Sequence, residues 1–450
     1  MVTSSRRDFT LDDWLSRFET LHPKKIDLSL ERLITVLDRL ELREPQYKVV
    51  TVAGTNGKGS CVAMLESIYW HAGYEVGTFT SPHLWRFNER IRLNGADASD
   101  AELVELFEII DASLGAITLS YFESSTVAAL LHFARRKVDI AVLEVGMGGR
   151  LDASNTVDAD CGLIVSVDLD HREWLGDDRE AIGREKAGIM RRGKPVVIAD
   201  RDVPRSVLAH AAAEGAFPFV IGRDFDYVRE AGAAASEMRG WRRVGGANDS
   251  SVLPLPPFGG DEQYGNAAAC AAVVERLGAT LPVDGAALAA GIRNAYLRGR
   301  LERHTVGGVE WVFDVAHNPA AAGVLAAALA RLPKAGSTFA VFTGMRDKDL
   351  AGVFAPFVNA VDAWFVTQAN AERGASGSEL RDLLLALGAR RAETAADVAA
   401  ACAAARATAA PGDRVLVFGS FHTVGAATAA LGLYSAPSRS GERPSTWIRA

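Results

Sequence analysis

Thr51-Val52-Ala53-Gly54-Thr55-Asn56-Gly57-Lys58-Gly59-Ser60 is the stretch on which the fold turns. The residues before it, Tyr47-Lys48-Val49-Val50-Thr51-Val52, are β-branched and apolar, which reads as a buried strand. Those after it, from Cys61 to Ile68, carry helical spacing and close near Gly73. A glycine-rich turn between strand and helix aims successive backbone N–H groups, and the positive end of the helix, at one spot. Lys58 adds a full charge there and Ser60 a hydroxyl suited to Mg²⁺, so the stretch reads as a cradle for nucleotide phosphates. Its spacing departs from the common phosphate loop, because Gly54 lies closer to Gly57 and Gly59 separates Lys58 from Ser60. A merely flexible turn does not require strand, glycines, lysine, hydroxyl and helix in that order.

Further along, two apolar runs end in polar groups. Asp139 to Val145 is a strand whose only late polar residue is Glu144, and Cys161 to Val167 runs into Asp168-Leu169-Asp170-His171. The carboxyl ends of buried parallel strands face the crevice where such sheets bind ligands. Glu144 and His171 are therefore candidate ligands of a divalent cation beside Lys58 and Ser60. Taken singly, a solvated strand end accounts for Glu144 as well, and a satisfied polar residue accounts for His171. Lys186, in the helix from Arg179 to Met190, has the spacing of an ordinary surface salt-bridge partner. Ser81 to Arg92 shows no sustained strand or helix period; three arginines and two aromatics after a proline mark it as a functional loop.

The rest of the chain supplies the frame. Trp14, Phe18 and Leu21, then Leu30, Leu33, Leu37 and Leu40, form the stripes of two helices. The loop His22–Asp27 between them reads equally as a lid on the core or a wall of a substrate pocket. Strand–helix alternation continues to Ala295, with short strands and turns expected between Arg223 and Gly260. Arg298-Gly299-Arg300 breaks the composition, and alternation begins afresh at Trp311. The fold class is thus α/β: a mostly parallel sheet domain with the P-loop, residues 1–297, then a smaller Rossmann-like α/β domain, residues 298–434. Ser, Pro, Gly and Arg dominate residues 435–450, which predicts a disordered tail.

Composition narrows the class further. The 450 residues are 48% hydrophobic and 23% charged, ordinary values for globular protein. A net charge of −7 without a basic tract argues against nucleic acid as partner. Cys61, Cys161, Cys270 and Cys402 lie far apart without a CxxC pair, as core residues of a reducing compartment do. A polar, charged N-terminus and the lack of a long apolar run lead to the expectation of a cytoplasmic protein with no membrane contact.

Taken together, Gly54–Ser60, Thr80-Ser81-Pro82-His83, Glu144–Asp152, Arg184-Glu185-Lys186-Ala187-Gly188, Asp314-Val315-Ala316-His317-Asn318-Pro319 and Gly419-Ser420-Phe421-His422 occur in an order that resembles the folylpolyglutamate synthase branch of the Mur ligase superfamily. The resemblance covers nearly the whole chain. It implies ATP-dependent amide formation between a dihydropteroate or folate carboxylate and L-glutamate, through an acyl phosphate. By the same resemblance Thr55, Asn56, Gly57, Lys58 and Ser60 hold the triphosphate, and Asn266, Arg300 and Asp314 contact adenine, phosphate and ribose. Ser81, Glu144 and His171 match magnesium ligands, and two Mg²⁺ ions are implied. Lys186 matches a lysine that the family carbamylates, so here the surface reading gives way. His317, as a catalytic residue, and Ser420, as a substrate contact, help form the second-domain face. Ser120, Tyr121, Phe122 and Glu123, with Leu151, Asp152 and Ala153, match the segments that contact the pterin. The resemblance also allows a monovalent cation and implies a monomer. One departure is visible: the family often has Pro before the Gly-Arg of the linker, where Arg298 stands here, predicting a looser hinge or a further phosphate-facing cation.

Four other readings compete. A ligase acting on UDP-linked muropeptides usually carries a separate N-terminal domain, for which about fifty residues before the loop leave no room. A monofunctional folylpolyglutamate synthase shares most of these motifs. A P-loop regulatory ATPase, or a nucleotide-binding scaffold, does not require the Lys186 motif or the Asp314/His317 set.

Overall fold

The strands of the sequence assemble into two separate sheets, each flanked by helices on both faces, in a computed structural model. It describes residues 9–433 apart from 25–26, 28, 232–237, 246–251, 255–256, 259 and 370–372. The tail expected from residue 435 lies outside the described residues, as do Lys25 and Ile26 of the 22–27 loop.

The first sheet contains β1 (Lys48–Ala53), β2 (Val76–Phe79), β3 (Ile91–Leu93), β4 (Ala96–Asp97), β5 (Ile140–Glu144), β6 (Cys161–Ile164), β7 (Pro195–Ile198) and β8 (Phe217–Val220). Their order is β4-β3-β2-β5-β1-β6-β7-β8. All pairs are parallel except β2–β3 and β3–β4, which form an antiparallel edge. Near-continuous apolar runs suit a parallel sheet covered on both faces. The helix Lys58–His71 lies on one face, and Ser60 through Trp70 are all buried, so its apolar surface runs right round rather than along one stripe. Helices Glu262–Leu277 and Gly285–Asn294 cover that helix from outside. The opposite face is packed by helices Leu11–Leu21, Glu31–Arg39, Asp100–Leu114 and Tyr121–Arg136. A two-stranded ribbon of β9 (Asp226–Ala231) and β10 (Met238–Val244) stands apart from the sheet.

The second sheet contains β11 (Glu302–Val306), β12 (Val309–Asp314), β13 (Thr338–Phe342), β14 (Ala363–Val366), β15 (Ala392–Thr394) and β16 (Arg414–Phe418). Their order is β11-β12-β16-β13-β14-β15, parallel but for the β11–β12 hairpin. Phe342, Phe354, Trp364 and Phe418 pack on one side, and Trp311, Phe313, Val415 and Val417 on the other.

Two expectations need correction. The stretch Ser81–Arg92 is not wholly a loop: it contains a 3₁₀ turn at Phe87–Arg90 and runs straight into β3. Leu84 of this stretch is buried in the core of the second sheet, with Trp311, Val315 and Val424. It passes so close to the helix Phe421–Ala430 that a Cβ on Gly425 would overlap the Leu84 carbonyl oxygen. The Glu89 carboxylate gathers the N–H groups of Leu84, Trp85 and Arg86 at 2.7–2.9 Å, which holds the segment in shape. The linker is also tied rather than loose. Arg298 pairs with Asp97 of β4 at 2.8 Å, so its charge is directed to the sheet edge and not to a phosphate.

Candidate active site

Register fixes the crest of the first sheet. Val52 pairs with Glu144 and Ala53 with Ile164, so the phosphate loop, Glu144 and the chain leading to His171 leave neighbouring strands at one edge. Gly57 caps the helix Lys58–His71 with φ +88°, and a Cβ there would meet Val165 Cγ1 at 2.7 Å and the Asn266 amide at 3.1 Å. Only glycine satisfies both that conformation and that approach. The loop is pinned from behind: Thr55 N donates to the Ser166 carbonyl (2.8 Å) and Asn56 N to Ser166 Oγ (2.9 Å). Lys58 folds back on its own loop, donating to the Gly54 carbonyl at 2.9 Å. Among the described residues the hydroxyls of Ser60 and Ser81 meet no hydrogen-bond partner.

Glu144 is buried, and its one hydrogen bond among the described residues comes from Ser81 N at 3.2 Å. Burial raises its pKa, against the opposing pull of Lys58, the Ser81 N–H, Arg300 and Arg90. A Cβ on Gly59 would lie 4.0 Å from both its oxygens, which sets the carboxylate against the phosphate loop. Lys186 is also buried, contrary to its surface spacing, and its ammonium has no hydrogen-bond or ion-pair partner among the described residues. Burial first, and the charge of Lys58 second, push its pKa down from 10.5 to about 7, with Asp170 and Asp152 opposing. His171 sits in the left-handed region with φ +49° and half its side chain exposed, at the rim rather than the floor.

The donors of this crest are oxygens for the most part. Among the described residues no three His, Cys, Asp or Glu side chains gather into a metal cluster of their own. That suits Mg²⁺, a hard cation that takes one or two carboxylates and completes its shell with water and phosphate oxygens. Glu144, with unengaged lone pairs and Ser81 with its partnerless hydroxyl beside it, fits such a cation.

The carboxyl ends of the second sheet form the facing wall. Asp314 ends β12, next to Phe418 of β16, and accepts from Leu301 N (2.9 Å) and Ala316 N (2.8 Å). Arg300 lies 4.0 Å from it. Half-buried His317 sets its Nδ1 2.9 Å from the Val315 carbonyl, which can only accept, so Nδ1 carries a proton and, in the neutral ring, Nε2 is left as an acceptor. Burial lowers its pKa and favours that neutral form. Ser420 caps the helix Phe421–Ala430 and joins Thr423 and Thr343 in a buried trio of hydroxyls.

A cleft of about 1530 Å³ runs between the walls. It brings together Thr55, Asn56, Gly57, Lys58, Ser81, Glu144, His171, Lys186, Arg300, His317, Ser420 and Tyr121. An adjoining cavity of about 510 Å³, large enough for a nucleoside, is lined by Asn56, Gly57, Ser60, Gln263, Arg300 and Asp314. Asn56, Gly57 and Arg300 border both, where a triphosphate would pass from one to the other. Asn266 lies against Gly57 at this junction.

Other expected residues sit behind the wall. Ser120 and Glu123 close a capping box on the helix Tyr121–Arg136, with Ser120 N donating to Glu123 at 2.7 Å and Arg32 donating to the same carboxylate at 3.0 Å. Arg32 also pairs with Asp27, which ties the described part of the 22–27 loop to this box. Asp152 accepts from Met147 N, Ser154 N and Ser154 Oγ. Phe122 packs on Gly146, and of these segments Tyr121 alone reaches the cleft, while Ser120, Phe122, Glu123, Leu151, Asp152 and Ala153 do not line it.

Lys348 and Asp170 carry no motif that singles them out, yet they join the two walls: Lys348 Nζ donates to Asp170 Oδ1 at 2.8 Å. Burial alone would raise the Asp170 pKa, but Lys348 and His171 hold it at about 2. Asn318 Nδ2 likewise reaches Asn56 Oδ1 across the cleft at 3.4 Å. Both contacts are between distant parts of the sequence, which local spacing does not reveal.

The Mur ligase middle domain matches residues 52–274, and the Mur ligase, glutamate ligase domain matches residues 299–421. The chain is 41% identical over 415 residues to the dihydrofolate synthase/folylpolyglutamate synthase of Escherichia coli (strain K12), covering 92% of this chain and 94% of that one. E. coli FolC in complex with DHPP and ADP superposes with a TM-score of 0.87 at 39% identity, over 96% and 99% of the two chains. A bifunctional folylpolyglutamate synthase/dihydrofolate synthase with Mn, AMPPNP and L-glutamate bound gives a TM-score of 0.84 at 40% identity, over 94% and 98%.

Proposed function

The chain belongs to the dihydrofolate synthase/folylpolyglutamate synthase family of Mur ligases, and on that premise we propose that it uses ATP to join L-glutamate to dihydropteroate and to folates. The observation that carries the reading is the single cleft in which Lys58, Glu144 and Lys186 of one sheet face Arg300 and His317 of the other. Such a site can neutralise a triphosphate from both sides, and positioning with charge neutralisation is most of what phosphoryl transfer asks of a protein.

A carboxylate oxygen of the pteroate or folate attacks the γ-phosphorus of ATP, forming a C–O–P link and releasing ADP. The glutamate amine then attacks the acyl carbon. The tetrahedral adduct loses the amine proton and expels phosphate with the bridging oxygen, leaving the amide. Lys58 and Arg300 stand where charge builds on the transferred phosphoryl group, and the phosphate-loop N–H groups orient it. The neutral His317, with Nε2 as acceptor, is suited to take the amine proton. Mg²⁺, held by Glu144 with Ser81, Ser60 and His171 near it, would supply electrostatic stabilisation of the phosphates. Asp314 and Arg300 would hold the ribose and phosphates, with Asn266 near the base, and Ser420 would meet the incoming glutamate.

Lys186 would act as a carbamate. With its pKa near 7, a large share of the amine is neutral at neutral pH, so its lone pair can attack CO₂ and lose a proton. The product is an anion that removes the unpartnered buried cation and offers oxygens to a second Mg²⁺. Ser120–Glu123 and Leu151–Ala153 would shape the pterin pocket from behind, with Tyr121 as its exposed ring. The gap between the two matched family domains supports a division near residue 298. No helix among the described residues is long and apolar enough to cross a membrane, and a cytoplasmic monomer is part of the same reading.

Incorporation of labelled glutamate, with dihydropteroate and tetrahydrofolate offered separately, tests the proposal. ATP- and Mg²⁺-dependent product with both is expected. Product with one acceptor alone reduces the enzyme to a single activity, and none with either refutes the ligase.

A further inference from the structure

Arg90 is a buried cation without a counter-ion. It is 9% exposed and lines the main cleft, yet among the described residues no carboxylate comes within ion-pair distance of it. Glu89, its neighbour in the chain, directs its oxygens to the N–H groups of Leu84, Trp85 and Arg86, and Glu144 acts on the arginine only from a distance. Arg92, buried two residues further on, is paired with Glu66, as an arginine that holds a fold together is. Arg90 Nε donates to His83 Nδ1 at 2.9 Å. A guanidinium has no acceptor, so that imidazole nitrogen carries no proton. The guanidinium carbon lies 5.4 Å from the centroid of the Tyr121 ring and 5.9 Å from that of Phe87, contacts that use ring faces and no N–H. The two terminal nitrogens of Arg90 therefore meet no hydrogen-bond partner among the described residues. A cation taken out of water in this way destabilises the chain until a ligand brings the opposite charge.

Sheet order tells which ligand. β5, which ends in Glu144, separates β2 from β1 and its phosphate loop. Arg90 ends the segment between β2 and β3, so it stands across Glu144 from Lys58 and against the ring of Tyr121. We propose that Arg90 binds the carboxylate of the pteroate or folate acceptor, its terminal N–H groups taking both oxygens while His83 fixes the guanidinium from its Nε edge. The inference deepens the ligase reading and rests on it. A planar fork matches a carboxylate, and a carboxylate has lone pairs beyond the two that accept, so an oxygen remains able to attack phosphorus.

Binding without turnover reads the effect. The full chain with Mg²⁺ and AMPPNP, and no glutamate, is titrated with dihydropteroate, or with tetrahydrofolate if only that binds. The same titration is run with the matching amide of the reacting carboxyl, which keeps the rings and loses the charge. The native chain is expected to favour the acid by about tenfold to a hundredfold. Arg90→Met should bring acid and amide within about threefold of each other, and Arg90→Lys, which keeps the charge without the fork, should fall between. Affinity for AMPPNP in both variants, and KM for L-glutamate in Arg90→Lys, should stay within about threefold of native. His83→Asn, whose amide oxygen can accept from Nε, should retain the preference that His83→Leu loses, a rescue that packing alone does not produce.

A native preference below about threefold overturns the proposal whether or not a variant folds. So does a full preference kept in Arg90→Met. So does a loss that falls on AMPPNP affinity or on KM for L-glutamate instead, which would assign the arginine to a phosphate or to the incoming amino acid. A native chain that binds neither dihydropteroate nor tetrahydrofolate refutes the ligase reading and this inference with it. Binding of acid and amide alike refutes this inference alone.

Discussion

Glu144 and Asp152 are buried to the same degree, each 6% exposed, and burial raises the pKa of both. Their surroundings differ. Asp152 accepts from two backbone N–H groups and a serine hydroxyl within its own turn, as a residue that shapes the chain does. Among the described residues Glu144 accepts from Ser81 N alone, and the charges of Lys58, Arg300 and Arg90 act on it. A carboxylate saturated by its own backbone maintains a fold. One left with free lone pairs among cations in a cleft costs stability until a ligand arrives, and that cost marks a site.

The sharpest way to break the contrast is to neutralise each carboxylate in turn. Glu144→Gln should lower kcat by about a hundredfold to a thousandfold, with thermal stability unchanged or higher. Asp152→Asn should cost about 1–3 kcal/mol of stability, read by denaturant unfolding, because a side-chain amide cannot accept all three bonds. A large stability loss in the first would show that Glu144 is a structural residue like Asp152.

Lys186 extends the comparison to a cation. Lys186→Ala should lose most activity, about a hundredfold, and full bicarbonate-independent activity would exclude the carbamate. Its folded pKa of about 7, against 10.5 when free, means the unfolded chain holds one more proton between those values. In CO₂-free buffer, where Lys186 stays an amine, stability should therefore rise with pH from about 7 to about 10.5, with no such slope below 7, where both states are charged. Lys186→Ala should flatten that slope in urea titrations. A smaller effect is expected at the bridge between the walls. Lys348→Ala should raise KM for ATP by about threefold to tenfold while leaving unfolding within about 1 kcal/mol of native, since the pair is partly exposed. At the capping box, Ser120→Ala should cost about 1 kcal/mol and leave the metal dependence of the reaction unchanged.

The buried parallel strands were legible in the sequence because their apolar runs stop abruptly at polar ends, and the register places Glu144 beside the phosphate loop as that pattern implies. The short strands β3, β4, β11 and β15 were not, since runs of two to five residues carry too short a period. Lys186 read as a surface residue for a similar reason: helical spacing gives direction around an axis, not what packs against it. The insertion of Leu84 into the second core and the pairing of Lys348 with Asp170 arise from chain segments meeting in space. Glu123 and Asp152 matched the pterin-contacting segments in type, while only the folded chain reveals that their oxygens already accept capping bonds.

The ligase is tested most directly by following one oxygen atom. Dihydropteroate labelled with ¹⁸O in its carboxylate, incubated with the chain, ATP, Mg²⁺ and L-glutamate, should deliver one ¹⁸O to each inorganic phosphate released, because the acyl oxygen bridging to phosphorus leaves with it. Phosphate free of label would mean that water, not the substrate carboxylate, attacks ATP. It would place the protein among nucleotide-hydrolysing switches.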